Sequence, residues 1–313
     1  MPWFRRAPQG SPPDPAKARA ALEALERGEL PPDALERLGK KDIWTSDLAV
    51  GEAAITLADG WQPRGLVMGS AVMRITWSGT LSAYGYGSGM GGGYGGGMMG
   101  GMGWAGGWPS GGEIRQLSLA ATEGWERCMD RLRMETEALG AHGAVGIRIR
   151  RAAWDPSTGL AEFVAVGTAV TLPGSKPLPQ PFSSALSGTE TAKLLRAGHV
   201  PVAPVVGVCV AYITGFEAMQ AAMTWSNVPL AQTSEALGDC RRAAADRMRA
   251  AARDVGGDGI VGVQLHMRGE EIEQQDPDRT DHLIECTALG TAVANTGRAT
   301  VAAPVSAIWL RRA

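Results

Sequence analysis

Leu139-Gly140-Ala141-His142-Gly143-Ala144-Val145-Gly146-Ile147 and Val255-Gly256-Gly257-Asp258-Gly259-Ile260-Val261-Gly262-Val263 are two versions of one phrase, 116 residues apart. Each closes an amphipathic stretch on a glycine stop and opens an apolar run of strand character. Downstream, Val166-Gly167-Thr168-Ala169-Val170 reappears as Leu289-Gly290-Thr291-Ala292-Val293, now 123 residues on. Upstream, the strand-like segment from Gly65 to Ala71 resembles that from Pro204 to Val210, with Gly69 and Gly207 inside them. Three blocks in the same order identify a tandem duplication.

Each copy reads strand, insertion, helix, strand, hairpin, strand. The first helix is expected from about Ala120 to Leu139, with Trp125, Met129, Leu132, Thr136 and Leu139 as its stripe. The second is expected from about Ser234, as N-cap, to Val255, with Leu237, Cys240, Ala244, Met248 and Ala251 along it. Strands follow at 144–149 and 260–266, then polar turns, then returning strands at 161–172 and 282–293. The fold class is α+β: two tandem domains, each one helix on a small antiparallel sheet, with an N-terminal helical extension. The uncovered face of such a sheet carries Val164, Val166 and Ala169 and calls for a partner.

Around the copies, residues 1–60 read as the N-terminal extension and 61–172 as the first domain. Residues 173–199 read as a Pro/Ser-rich linker, 200–296 as the second domain and 297–313 as a tail. Asp14-Pro15 and Pro31-Pro32-Asp33 start a helical hairpin. The insertion 85–112 is unlike the rest: 16 of its 28 residues are glycine, and Met98, Met99, Met102, Trp104 and Trp108 punctuate them. Such a stretch suits a flexible loop, self-association within an oligomer, or membrane or soft-metal contact through its methionines and tryptophans.

Composition narrows the function classes. Thirty basic and 32 acidic residues leave a net charge of -2, which gives no general nucleic-acid binder. Four cysteines in 313 residues exclude a disulfide-stapled scaffold. With no apolar run of membrane length, a cytoplasmic protein is expected.

Chemistry-bearing residues are few. Cys209, Cys240 and Cys286 belong to one domain and form a conceivable metal cluster, although none has C-x-x-C spacing. His266 and His282 flank the second hairpin and would make a metal pair if they lay opposite each other, with Glu285 near. Glu162 and Glu285 begin the last strand of each copy. His142 and Asp258 occupy the same slot after the helix stop, and these four are candidates for a ligand site or an interface. The glycines of the repeated phrase follow a helix and enter a strand, the reverse of a phosphate loop; Gly140 and Gly256 read as caps, Gly146 and Gly262 as close-approach positions. No catalytic residue and no cofactor is assigned, and the chain is read as a non-enzyme.

The blocks Leu139-Gly140-Ala141, Ala144-Val145-Gly146-Ile147 and Gly167-Thr168-Ala169-Val170, with their second copies, resemble the YbjQ-like family, named for a heavy-metal-binding domain. The resemblance covers about 65–172 and 200–296. It implies small dodecin-like domains assembling into pentameric rings, so that five tandem chains would close a ring. The segment Trp44-Thr45-Ser46-Asp47-Leu48 resembles an extension of actinobacterial tandem members. The reading is a homo-oligomeric, scaffold-like assembly with room for a small ligand between domains. The alternatives are a metal-handling protein and a membrane-associated assembly using the Gly/Met/Trp loop.

Overall fold

The computed structural model describes residues 14–39, 44–74, 111–155, 160–176, 178, 180–223, 227–273 and 280–296. The loop candidates Met98, Met99, Met102, Trp104 and Trp108 lie outside these residues.

Two short helices, α1 (Pro15–Glu26) and α2 (Pro32–Gly39), form the expected N-terminal hairpin. Asp14 caps α1 by accepting the Ala16 N–H at 2.9 Å. There follow α3 (Val50–Ala58), β1 (Gln62–Arg74), β2 (Gly111–Glu113), α4 (Arg115–Ala138), β3 (Gly143–Asp155), β4 (Leu160–Thr171) and β5 (Phe182–Ser183). The second half adds α5 (Gly188–Arg196), β6 (His199–Ile213), α6 (Phe216–Ala222), α7 (Ala231–Asp254), β7 (Gly259–Glu273) and β8 (Thr280–Asn295).

The strands form two four-stranded sheets, ordered β1-β4-β3-β5 and β2-β6-β8-β7. Within each, a long helix lies on one face, α4 on β1 and β4, α7 on β6 and β8. Glycine permits the approach. A Cβ at Gly69 would sit 1.9 Å from the Cys128 carbonyl oxygen, and one at Gly207 would sit 2.0 Å from that of Ala244. These two glycines align the copies along the first strand with an offset of 138, and the helix residues they touch with an offset of 116. The difference of 22 residues is the length by which the Gly-rich insertion enlarges the first copy.

The equivalence runs further upstream than the sequence blocks reached. At the same offset of 138, Ser46-Asp47-Leu48 matches Ser184-Ala185-Leu186, α3 matches α5, and Gly60 matches Gly198. Both leaders lie over their own sheet in the same way. The Asp47 N–H donates to Thr168 Oγ1 at 3.0 Å, and the Ala185 N–H to Thr291 Oγ1 at 3.1 Å. Thr168 and Thr291 are fully buried. Glu52 accepts the Ala49 N–H and Glu190 the Ser187 N–H, at the head of α3 and α5 respectively. Each repeat thus begins with a leader and a short helix, taken from stretches that read in the sequence as extension and linker.

Gly146 and Gly262 are close-approach positions as expected, a Cβ there standing 3.1 Å from Leu48 Cδ2 and 2.6 Å from Leu186 Cδ2, and they carry a second role. Both have φ +64°, in the left-handed region, and both sit at a bulge where β3 and β7 slip register against β4 and β8. Helix starts also move. The long helices begin at Arg115 and Ala231, so Ser234 lies inside the first turn and is not the N-cap. The α7 start is capped from outside, by Glu217 of α6 accepting the Gln232 and Thr233 N–H groups at 3.1 and 2.8 Å.

Candidate functional site: a one-sided joint between the repeats

The second sheet has two covered faces. Val205, Cys209 and Ala211 of β6 face α7 with Cys240 and Met248. The alternate residues Val208, Val210 and Tyr212 join the core of the first repeat, with Leu117, Ala121 and Trp125 of α4. Val208 and Val210 are completely buried. The helix start docks on the strand edge as well. Ile114 N–H donates to the Val210 carbonyl at 2.7 Å, and Val210 N–H to Ser118 Oγ at 2.9 Å. Beside them β2 pairs antiparallel with residues 211–213 of β6. Hence the strand before α4 and α4 itself, both of the first repeat, dress the second sheet.

The second repeat answers at the other edge. Its leader contributes β5, parallel to β3 at Gly143–Phe182 and Ala144–Ser183. The leader continues across the bulge: Ile147 N–H donates to the Ser184 carbonyl and Gly146 N–H to that of Leu186, both at 3.0 Å. The Phe182 ring fills the space over Gly143, within 2.6 Å of where a Cβ would stand, and meets Trp61 edge-on at 5.6 Å.

One ion pair spans the middle. Arg151 of β3 pairs with Glu285 of β8, both side chains less than a tenth exposed, and the guanidinium lies 5.7 Å from the Phe163 ring centroid. Burial, reinforced by Arg268, pushes the Arg151 guanidinium down to about 10, so it stays charged at neutral pH.

The candidates singled out in the sequence do not converge. Glu285 is held by Arg151, whereas Glu162, opposite Val72 and Ala152, is exposed. His142 is buried in its turn, Nε2 2.9 Å from the Lys176 carbonyl and Nδ1 accepting the Leu172 N–H at 3.3 Å. Asp258, its counterpart, accepts the Asn295 N–H at 2.9 Å. The proposed histidine pair is corrected by strand register: His266 lies opposite Thr287 and His282 opposite Glu271, five positions apart along the ladder. Strand rise separates them by about 16 Å, beyond any shared ligand.

The cysteines do come together, with a clear cause. Cys209 and Cys286 are directly opposed on β6 and β8, and Cys240 of α7 reaches over, its Sγ 3.4 Å from the Cys209 carbonyl. In the first repeat the matching positions are Ala71, Phe163 and Gly124. There the Phe163 ring, set edge-on to Trp125 at 4.8 Å, occupies the volume. A Cβ at Gly124 would lie 2.3 Å from that ring. The three thiols replace an aromatic ring, and an open pocket of about 200 Å³ remains, lined by Glu113, Cys209, Asp239 and Cys240 among others. Hydrogen bonds to the Cys209 and Cys286 sulphurs push the Cys240 thiol far up. The bond from Cys240 holds Cys286 below its ordinary value, aided by Arg241 and opposed by burial. Among the described residues, no group of three His, Cys, Asp or Glu side chains is arranged to hold a metal ion. No helix among them is long and apolar enough to cross a membrane.

Sequence reasoning anticipated the open sheet face through Val164 and Val166, although Ala169 lies buried in the helix-side core, and it missed the Arg151–Glu285 pair because the glutamate repeats but its arginine does not. The counterpart of Arg151 is Met267, and that of Glu285 is Glu162. The leader was missed because Ser46-Asp47-Leu48 and Ser184-Ala185-Leu186 share only two of three residues. The signal that finds them is the constant offset of 138.

The fold's repeated unit matches a known family twice, over residues 109–173 and 226–296; the family is YbjQ, described as "Putative heavy-metal-binding". The chain is also 30% identical over 282 residues to the "Encapsulin nanocompartment protein Rv1762c" of Mycobacterium tuberculosis, covering 87% of this chain and 94% of that protein. Two matched regions, the helix-to-strand block and the duplicated architecture agree, and the chain belongs to the YbjQ family as a tandem member.

Proposed function

We propose that this protein is a non-enzymatic subunit of a homo-oligomeric scaffold, assembled head to tail by the contact that already joins its two repeats. One observation carries the reading: the joint is one-sided. The α4 helix covers the back of the second sheet, and nothing among the described residues covers the back of the first. Met68, Ser70 and Val72 stand where Val206, Val208 and Val210 stand in the second repeat. Val208 and Val210 are fully buried, whereas Met68 is 36% and Val72 60% exposed. Exposed apolar positions on a sheet face mark a surface that another element covers. The matching donor surface is α7, whose start at Leu230 has nearly the backbone angles of Ile114 before α4.

A contact in which one surface meets a different surface propagates, and it closes into a ring when the rotation permits. Five chains is the closed number implied by the family resemblance. The relative carries the name of a nanocompartment protein, and that context suits a subunit that builds by self-association.

Native mass spectrometry of the full chain tests this. The expected mass is a multiple of 32.7 kDa, five-fold for the ring. Val72→Arg should lower the mass without loss of helix content by circular dichroism. A wild-type mass of one chain at micromolar concentration overturns the reading.

A further inference from the structure

We infer that the leader Trp44–Leu48 of one chain adds a strand to the β7 edge of a second copy, seating Trp44 over Gly259 of that copy. This rests on the head-to-tail reading above and assigns the residues that make one edge of its joint.

One strand edge is covered in the first repeat and open in the second. In the first sheet β3 is flanked by β5, whereas among the described residues β7 ends the second sheet with no strand beyond it. The two edges are otherwise alike. Gly146 and Gly262 share a φ of +64° and the same bulge, at which the ladder to the inner strand skips two residues. In β3, the two skipped amides, Gly146 and Ile147, turn outward and donate to the Leu186 and Ser184 carbonyls. Their counterparts in β7 are the amides of Gly262 and Val263. Burial reports the difference: Ile147 is 2% exposed and Val263 56%. Leu265 and Met267, further along β7, are 47% and 37% exposed. An open apolar edge with unspent donors is a template for another strand.

The chain also contains a strand of the right pattern with an open outer side. Ser184-Ala185-Leu186 works as a bridge: on one side it lies on its own sheet through Thr291, and on the other it bonds the β3 edge. Ser46-Asp47-Leu48 already makes the first half of that bridge, through Thr168 and with Leu48 Cδ2 against Gly146. In the repeat its second half faces β7 of another copy. The offsets then assign the bonds around the bulge. The Gly262 N–H donates to the Leu48 carbonyl, the Val263 N–H to the Ser46 carbonyl, and the Ser46 N–H to the Ile260 carbonyl. Trp44 takes the place of Phe182, and Gly259 that of Gly143.

Trp44 supplies an independent sign. It is 54% exposed, a large ring at the head of the leader. Phe182, at the same position, packs on a glycine and on Trp61. Gly259 offers that seat: a Cβ there would meet only Val293 Cγ2, at 3.3 Å. Within one chain, the long-range hydrogen bonds of Ser46 and Asp47 go to Thr168 and Arg148 of the first sheet, not to β7. The occupant is therefore a second copy.

Two measurements on the full chain decide it. A Trp44→Cys chain is mixed with a Gly259→Cys chain and oxidised, with Trp44→Cys plus Leu265→Cys as an off-register control. A disulfide between the first two chains, and none in the control, is expected. Hydrogen exchange on the wild-type assembly is the second, needed if the variants fail to assemble. The Gly262 and Val263 amides should be protected at least ten-fold over their rate in Trp44→Ala. A wild-type multimer whose Gly262 and Val263 amides exchange like an exposed edge overturns this inference and leaves the head-to-tail reading standing. A wild-type monomer overturns both.

Discussion

Arg151 and Glu285, 134 positions apart in the chain, form a buried ion pair that links the hairpin of the first repeat to that of the second. Removing one partner of a buried pair leaves an uncompensated charge and costs about 3–5 kcal/mol. Glu285→Gln is expected to lower stability by an amount in that range. The double variant Arg151→Met with Glu285→Leu should recover most of it, since apolar replacement of both partners is often neutral. Urea unfolding of the single and double variants measures the difference.

Gly124 and Phe163 predict a swap between the cores. Gly124→Ala should destabilise by about 1–3 kcal/mol, because the Phe163 ring is wedged between Trp125 and Arg151 and has nowhere to move. In the second repeat, Cys286→Phe alone should clash with Cys240. Cys240→Gly with Cys286→Phe should be the better-tolerated combination, filling the space the thiols leave. The two changes touch, so a coupling of about 1 kcal/mol or more is expected from a thermal-melt double-mutant cycle.

Gly69 and Gly207 allow helix and strand backbones to meet. Gly69→Ala or Gly207→Ala would place a methyl group against a carbonyl oxygen and an amide nitrogen that cannot rotate aside. Each should cost about 3 kcal/mol or more, at the top of the overpacking range, with α4 or α7 displaced. The loss of soluble folded protein, followed by near-UV circular dichroism, reads it out; a variant as stable as wild type would refute the close approach.

The caps give a pH dependence. Backbone and hydroxyl bonds from Ser187 hold the Glu190 carboxyl below 4.5, and backbone bonds from Thr233 and its neighbours do the same for Glu217. A folded-state pKa below the unfolded one contributes stability that is fully present above about pH 4.5. That contribution is lost as pH falls through the depressed folded values. The stability gap between wild type and Glu217→Gln should therefore be larger at pH 7 than at pH 3. An equal gap at both would show that the carboxylate charge is not what caps α7.

Thiol reactivity follows burial. Cys128 donates its S–H to the Gly69 carbonyl at 3.2 Å, and burial pushes its thiol up to about 12. Iodoacetamide at pH 8 should leave Cys128 unlabelled in the native protein and label it in urea, as peptide mass mapping will show.

The sequence alone determined the duplication, the helix-on-sheet unit and the stops at Gly140 and Gly256, because these follow from local periodicity and from backbone angles only glycine tolerates readily. It also indicated that one sheet face lacked a cover. Tertiary structure alone decided which repeat covers the other. That choice depends on contacts between residues far apart in the chain, such as Ser118 with Val210 over 92 positions and Arg151 with Glu285 over 134. It decided that Arg151 meets Glu285, that Cys209, Cys240 and Cys286 take the space of a phenylalanine ring, and that His266 and His282 never meet. Strand register sets each of these. A period of two tells which face a residue occupies, while the bulges at Gly146 and Gly262 and the hairpin lengths set its partner, and those are fixed only when the strands pair.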